Sequence, residues 1–210
     1  MKRRASNYPY SNLPELTEFS QKWPAPPDEQ ECLALWDKYG MWPNIRQHSR
    51  MVAHIAKTLA LYSKEKGIEV DEAACNAAGL LHDLAKTYCL EYGGSHALLG
   101  GAWVAQETGN FAISQGVLLH VHWPWLFPKG KKICCLPIFV IYADKRVKHD
   151  QCVTLNERFD DVLVRYGKGA AARRGIEKSF HKTLLMEKLL SEQLGRNLHE
   201  DSFNCGRMVN

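Results

Sequence analysis

His82 and Asp83 stand side by side in the stretch LLHDLAK, where they interrupt an apolar run that ends on Lys86. Metal-competent side chains recur through the middle of the chain: His48, His82, His96, His120 and His122, together with Asp83 and Asp144. Burying one such group costs about 1–3 kcal/mol unless it finds a partner, and an unpaired carboxylate costs more. A single inward histidine needs only a hydrogen bond. When inward histidines and aspartates recur on every central element, one divalent cation can satisfy several of them together. Imidazole nitrogens and carboxylate oxygens are ligands for iron, manganese, zinc or magnesium. Such an ion acts as a Lewis acid and lowers the pKa of its bound water.

The elements that must position these groups read as helices. Asp28 caps a first helix carrying Leu33, Leu35 and Trp36, and Gly40 ends it. After Pro43, the residues Ile45, His48, Val52, Ile55, Leu59 and Tyr62 form one apolar stripe that stops at Gly67, which turns His48 inward. Asp71 caps a third helix with a small-residue face of Ala74, Ala77, Ala78, Leu81 and Ala85, placing His82 and Asp83 in its C-terminal half. Ser95 opens a fourth, with His96 in its first turn, and a fifth runs from about Phe111 to His120. The apolar segment ICCLPIFVIYADKRV contains a possible strand, IFVIY. Its 3.6-residue period through Ile133, Pro137, Val140, Ile141, Asp144 and Val147 favours a helix with Asp144 on the inner face. Thr154 and Glu157 make a capping box, and a last helix passes Ile176, Phe180, Leu184 and Leu189 to Gly195. The expectation is an all-α domain over residues 28–196, preceded by an extended Pro-rich arm (1–27) and followed by a loose tail (197–210).

In chain order, His48, the pair His82-Asp83 and Asp144 resemble the H…HD…D signature of the HD-domain metal-dependent phosphohydrolase superfamily. Lys86 in HDLAK, His96 in SHALLGGAWVA and the ADKRV around the last aspartate extend the likeness, which covers roughly residues 44–166. The pattern is most similar to small bacterial HD hydrolases, including those acting on dinucleoside polyphosphates. The resemblance implies an HD-domain helical bundle holding one or two divalent ions (Fe, Mn, Mg or Zn). His48, His82, Asp83 and Asp144 would hold the first. His96, His120 and His122 would bind a second or contact the substrate phosphate. Asp83 would also orient the nucleophilic water, Lys86 would reach phosphate as a point charge, and Lys145 and Arg146 are weaker substrate-binding candidates. His120 and His122 are two residues apart, about 200° on a helix. Both reach one site only if the helix ends between them, which Pro124 favours.

The implied activity is cleavage of a phosphoester or phosphoanhydride bond in a nucleotide or other small phosphorylated metabolite. Two rivals use the same scaffold: a catalytically silent sensor that keeps metal and nucleotide, and a di-iron oxygenase. Lys86 fits equally well as a solvated lysine at a helix C-terminus, and Lys145 and Arg146 fit as surface charges or ion-pair partners. Trp123 or Trp125 follows the histidines closely enough to line a pocket, although core packing is the simpler use.

Composition narrows the field further. The 210 residues are 45% hydrophobic and 24% charged, an ordinary globular balance. A net charge of +4, spread along the chain, supplies no concentrated nucleic-acid footprint. Seven cysteines without a C-x-x-C pair read as free thiols of a reducing, cytoplasmic protein. Neither a signal peptide nor a membrane-spanning run is evident. The expected partner is a small phosphorylated substrate, with a homodimer possible.

Overall fold

Local chemistry sets where most of the helices begin. The computed structural model describes residues 23–205. Asp28 and Glu31 form a reciprocal capping box at the start of α1 (Glu29–Lys38). Pro43 occupies the first turn of α2 (Pro43–Glu65), where its missing N–H costs nothing. Asp71 caps α3 (Glu72–Leu81), and Ser95 caps α5 (His96–Thr108). The Asn110 carboxamide accepts from two amides of α6 (Phe111–Leu119). A short helix, α4 (Lys86–Tyr92), lies between α3 and α5. α7 (Leu136–Lys145) leads into a small hairpin, β1 (Val147–Lys148) and β2 (Gln151–Cys152), then α8 (Leu155–Tyr166) and α9 (Ala170–Leu194). The architecture is all-α. The IFVIY run lies entirely within α7, which is buried from Leu136 to Asp144.

The core forms around α2, whose Ile45, Val52, Ile55 and Leu59 are buried beneath α3 and α7. A Cβ on Gly79 would stand 2.7 Å from the Ala53 backbone nitrogen and closer still to its Cα. Only glycine lets α3 and α2 meet this tightly. Trp36 donates its indole N–H to the Leu80 carbonyl at 2.8 Å, which fastens α1 to the end of α3.

Two expectations need correction. α3 stops at Leu81, four residues before Ala85; residues 82–85 form a turn and Lys86 begins α4. The described part of the expected loose tail, residues 197–205, is packed: Leu198 and Phe203 are fully buried. The physical reason is Arg146, whose guanidinium donates to the carbonyls of Val153, Leu198 and Asp201 and to the Tyr142 hydroxyl. Of the expected N-terminal arm, residues 1–22 lie outside the described residues. Trp23 packs on Phe111 at a ring separation of 5.3 Å, and the Pro24 carbonyl accepts from Asn110. Among the described residues, no helix is long and apolar enough to cross a membrane.

Candidate metal centre

Four elements deliver short polar side chains to one buried point. α2 brings His48, the turn after α3 brings His82 and Asp83, the C-terminus of α6 brings His120, and the end of α7 brings Asp144. His96, at the first position of α5, closes the cluster from the side.

The histidine tautomers follow from backbone carbonyls. His48 Nδ1 lies 2.9 Å from the His149 carbonyl, His82 Nδ1 2.7 Å from that of Gly79, and His120 Nδ1 2.6 Å from that of Val117. A carbonyl only accepts, so each Nδ1 carries the proton and each Nε2 turns a bare lone pair into the cluster. This is how metal-ligating histidines are oriented. Burial, which outweighs the pull of Asp83, pushes the pKa of His96 down to about 4, so His96 is neutral near pH 7.

The two aspartates share a plan. Each Oδ2 is held by a lysine at 2.6 Å, Lys86 for Asp83 and Lys145 for Asp144. Each Oδ1 faces imidazoles. Asp144 Oδ1 is 3.1 Å from His48 Nε2 and 3.9 Å from His82 Nε2. Asp83 Oδ1 is 3.3 Å from His96 Nε2 and 3.5 Å from His120 Nε2. Burial works against ionising both carboxyls. The paired lysine opposes that cost in each case, Lys86 for Asp83 and Lys145 for Asp144, and both carboxyls stay ionised near pH 7.

Acceptors therefore face acceptors. Two of them, His82 Nε2 and Asp83 Oδ1, are buried without any hydrogen-bond partner, and such an atom costs about 1–3 kcal/mol. His96 Nε2 and His120 Nε2 approach to 3.1 Å. A divalent ion with bonds of about 2.0–2.2 Å sets neighbouring donors roughly 3 Å apart, which matches this spacing. Two overlapping groups could each hold an ion: His48, His82 and Asp83, and Asp83, His96 and His120. Asp83 belongs to both, and Asp144 adjoins the first.

His122 is not in the cluster. The helix does end at Leu119, but His120 turns inward and His122 is exposed, lining a different cavity with Trp123. Trp125 is also exposed. Arg146 is buried and spent on the C-terminal segment, so it is neither a substrate contact nor a surface charge. Lys86 sits at the start of α4 rather than at a helix C-terminus, and it reaches Asp83 across the intervening turn.

The cluster opens on a cleft of about 290 Å³ whose walls include His48, Asp83, Lys86, His149, Arg158 and Arg165. The last three were not legible as site residues. His149 sits at a hairpin tip with φ 57°, a left-handed conformation costly for a residue with a Cβ, and it presents its carbonyl to His48. Arg158 makes one long ion pair with Asp161, 3.4 Å, and its Nε is buried without a partner. Arg165 shares the same Asp161. The seven-residue spacing of these arginines, which sets them on one face of α8, was the available signal.

No solved structure matches the chain. A curated relative, the tRNA (cytidine(56)-2'-O)-methyltransferase of Thermoplasma volcanium (strain ATCC 51530 / DSM 4299 / JCM 9571 / NBRC 15438 / GSS1), is 24% identical over 184 residues, covering 83% of this chain. The chain spans about half the length of that relative, 50% of which is covered. The family model described as HD domain matches residues 45–147, the segment that carries His48, His82, Asp83, His96, His120 and Asp144. With that match and a cluster able to hold metal, the chain belongs to the HD-domain superfamily of metal-dependent phosphohydrolases.

Proposed function

We propose that the chain is a metal-dependent phosphohydrolase that cleaves a phosphoester or phosphoanhydride bond of a small phosphorylated molecule, nucleotides included. The observation that carries this reading is the position of Asp83. Its carboxylate is shared by two potential ion-binding groups and lies at the foot of a cleft walled by Lys86, Arg158 and Arg165. His48, His82, Asp83 and Asp144 would hold one ion, and Asp83, His96 and His120 a second. Bound there, a divalent ion supplies hydroxide near neutral pH and neutralises phosphate charge.

The chain's own groups do the remaining work. The three carbonyl-anchored histidines keep their tautomers and positions before substrate arrives, so little reorganisation is needed. Asp83 orients the attacking water. Lys86 keeps its proton: burial lowers its pKa, but Asp83 and Asp144 raise it further. Of its three donors, one holds Asp83 and the others are available to a phosphate in the cleft. Arg158 offers a planar fork that matches a phosphate edge. The methyl-transfer activity in the relative's name belongs to a protein of which this chain spans about half, and it forms no part of the reading.

The test is metal analysis of the purified protein with turnover of a phosphate panel: mononucleotides, cyclic dinucleotides, guanosine alarmones and diadenosine tetraphosphate. Metal-dependent release from at least one, abolished in Asp83→Ala, is expected. Metal-loaded protein that turns over none of them, or an equally active Asp83→Ala variant, refutes the hydrolase. A mixed-valence di-iron signal with oxygen consumption would instead favour an oxygenase.

A further inference from the structure

Residues that do not line the cleft over the metal centre converge elsewhere. His122, Trp123 and Lys145 line a second cavity of about 310 Å³, together with Lys178, Ser179 and Lys182 of α9. No residue lines both this cavity and the cleft over the metal centre. We propose that this second cavity is an anion site that takes a phosphate group, either inorganic phosphate or the phosphoryl group of a small metabolite.

The charge pattern carries the proposal. Three lysines and one histidine line the cavity, and no aspartate or glutamate does. Lys178 and Lys182 are four residues apart on α9, so they are neighbours of like charge on one helix face, an arrangement that destabilises a helix. Lys182 is also partly withdrawn from water, and burial followed by Lys178 lowers its pKa. No carboxylate offsets either effect: among the described residues, neither lysine forms an ion pair. Lys182 gives one hydrogen to the Trp123 carbonyl, which fixes its ammonium at the cavity wall and leaves two hydrogens. Lys145 is occupied by Asp144, so Lys178, Lys182 and His122 are the principal holders. A concave site lined by one sign of charge concentrates the opposite ion. A phosphate dianion, with oxygens on several sides, can accept from all three at once, whereas a singly charged halide offers a single centre.

Trp123 adds a second feature. It lines the cavity, and its ring stands 5.1 Å from that of Trp125. This flat apolar edge next to the cations would receive the organic part of a phosphorylated metabolite.

The experiment is calorimetric titration of the metal-loaded protein with inorganic phosphate and, separately, with glycerol 3-phosphate. It is run on wild type, on Lys178→Gln/Lys182→Gln and on Asp83→Ala, with thermal melts confirming that each is folded. Saturable binding of either probe is expected to survive in Asp83→Ala and to weaken at least about tenfold in the double lysine variant, the size of one lost charge-assisted hydrogen bond. Tighter binding of glycerol 3-phosphate than of phosphate identifies a metabolite as the occupant, and equal binding identifies the inorganic ion. The site is overturned if neither probe binds, or if binding disappears in Asp83→Ala and is unchanged in the double variant. Should the double variant not fold, the exposed Lys178→Gln change alone must show the weakening. None of these outcomes depends on whether the protein hydrolyses anything, so this proposal and the hydrolase reading stand or fall separately.

Discussion

Replacing Gly79 by alanine tests whether the tight crossing of α2 and α3 is what holds the candidate metal ligands in register. The added Cβ would stand 2.7 Å from the Ala53 nitrogen, whereas relaxed contacts lie at about 3.5–4.0 Å. Because the Ala53 Cα is closer still, the helices must part by about 1.1–1.6 Å. Because backbone meets backbone, no side-chain rotamer can absorb the strain. Overpacking of this kind costs about 1–3 kcal/mol, and the better helix propensity of alanine returns about 0.8–1 kcal/mol. The net loss should be up to about 2 kcal/mol, which lowers the Tm by up to roughly 8 °C for a chain of this size. The effect on the site should be larger. His48 rides on α2, and His82 takes its orientation from the Gly79 carbonyl itself. Displacing such an outer partner typically costs 10- to 100-fold in metal affinity.

The assays are thermal unfolding of metal-free protein by circular dichroism and calorimetric titration with manganese. Gly175→Ala supplies the control: Gly175 lies inside α9, and a Cβ there meets nothing within 4 Å. That variant should gain up to about 1 kcal/mol from propensity alone. If Gly79→Ala also gains stability and keeps its manganese affinity within twofold, propensity outweighs packing. The crossing would then not be what positions the ligands.

Four further outcomes follow from the same geometry. His120→Ala should reduce bound metal from two ions to one while His122→Ala leaves the stoichiometry intact, measured by mass spectrometry of native protein; equal losses would contradict the inward and outward placement. Saturating wild type with divalent metal at a hundred times its Kd should add about 2.7 kcal/mol, a Tm rise of roughly 5–11 °C, and Asp83→Ala should show little of it. Arg158→Gln should raise KM for a turned-over phosphate substrate about tenfold, and steady-state kinetics with an unchanged KM would remove Arg158 from the cleft's chemistry. Arg146→Ala should cost about 3–5 kcal/mol, because it leaves Glu187 buried without its counter-charge 3.8 Å away; denaturant melts measure this, and manganese affinity should stay near wild type.

The helices were legible because their signals are local. Asp28, Asp71, Ser95 and Thr154 each cap the helix they announce, and the α2 stripe is buried as its period requires. Most of the His and Asp cluster was legible for a related reason: inward His and Asp residues need a common explanation. What stayed hidden depends on contacts distant in sequence. His149 acts through a backbone carbonyl, to which side-chain type is blind. Arg158 and Arg165 lie in a segment that reads as an ordinary amphipathic helix. Arg146 looks like a neighbour of Asp144, yet at the α7 C-terminus its side chain leaves on the opposite side, toward Leu198 and Asp201.

The early end of α3 is the feature that makes the centre possible. On a continuous helix, adjacent residues point about 100° apart, so His82 and Asp83 could not both face one point. The turn over residues 82–85 removes that constraint. His82 turns toward His48 and Asp144, while Asp83 reaches His96 and His120 with one oxygen and Lys86 with the other. The same logic decides between His120 and His122, since the end of α6 at Leu119 leaves His120 as the last residue aimed inward. Histidine and aspartate are short side chains, so the elements that carry them must also come close. Gly79 against Ala53 and Gly100 against Ala85 and Val117 provide that closeness. Small residues set the distances and helix ends set the directions, so a substitution at either should disturb metal binding without touching a ligand.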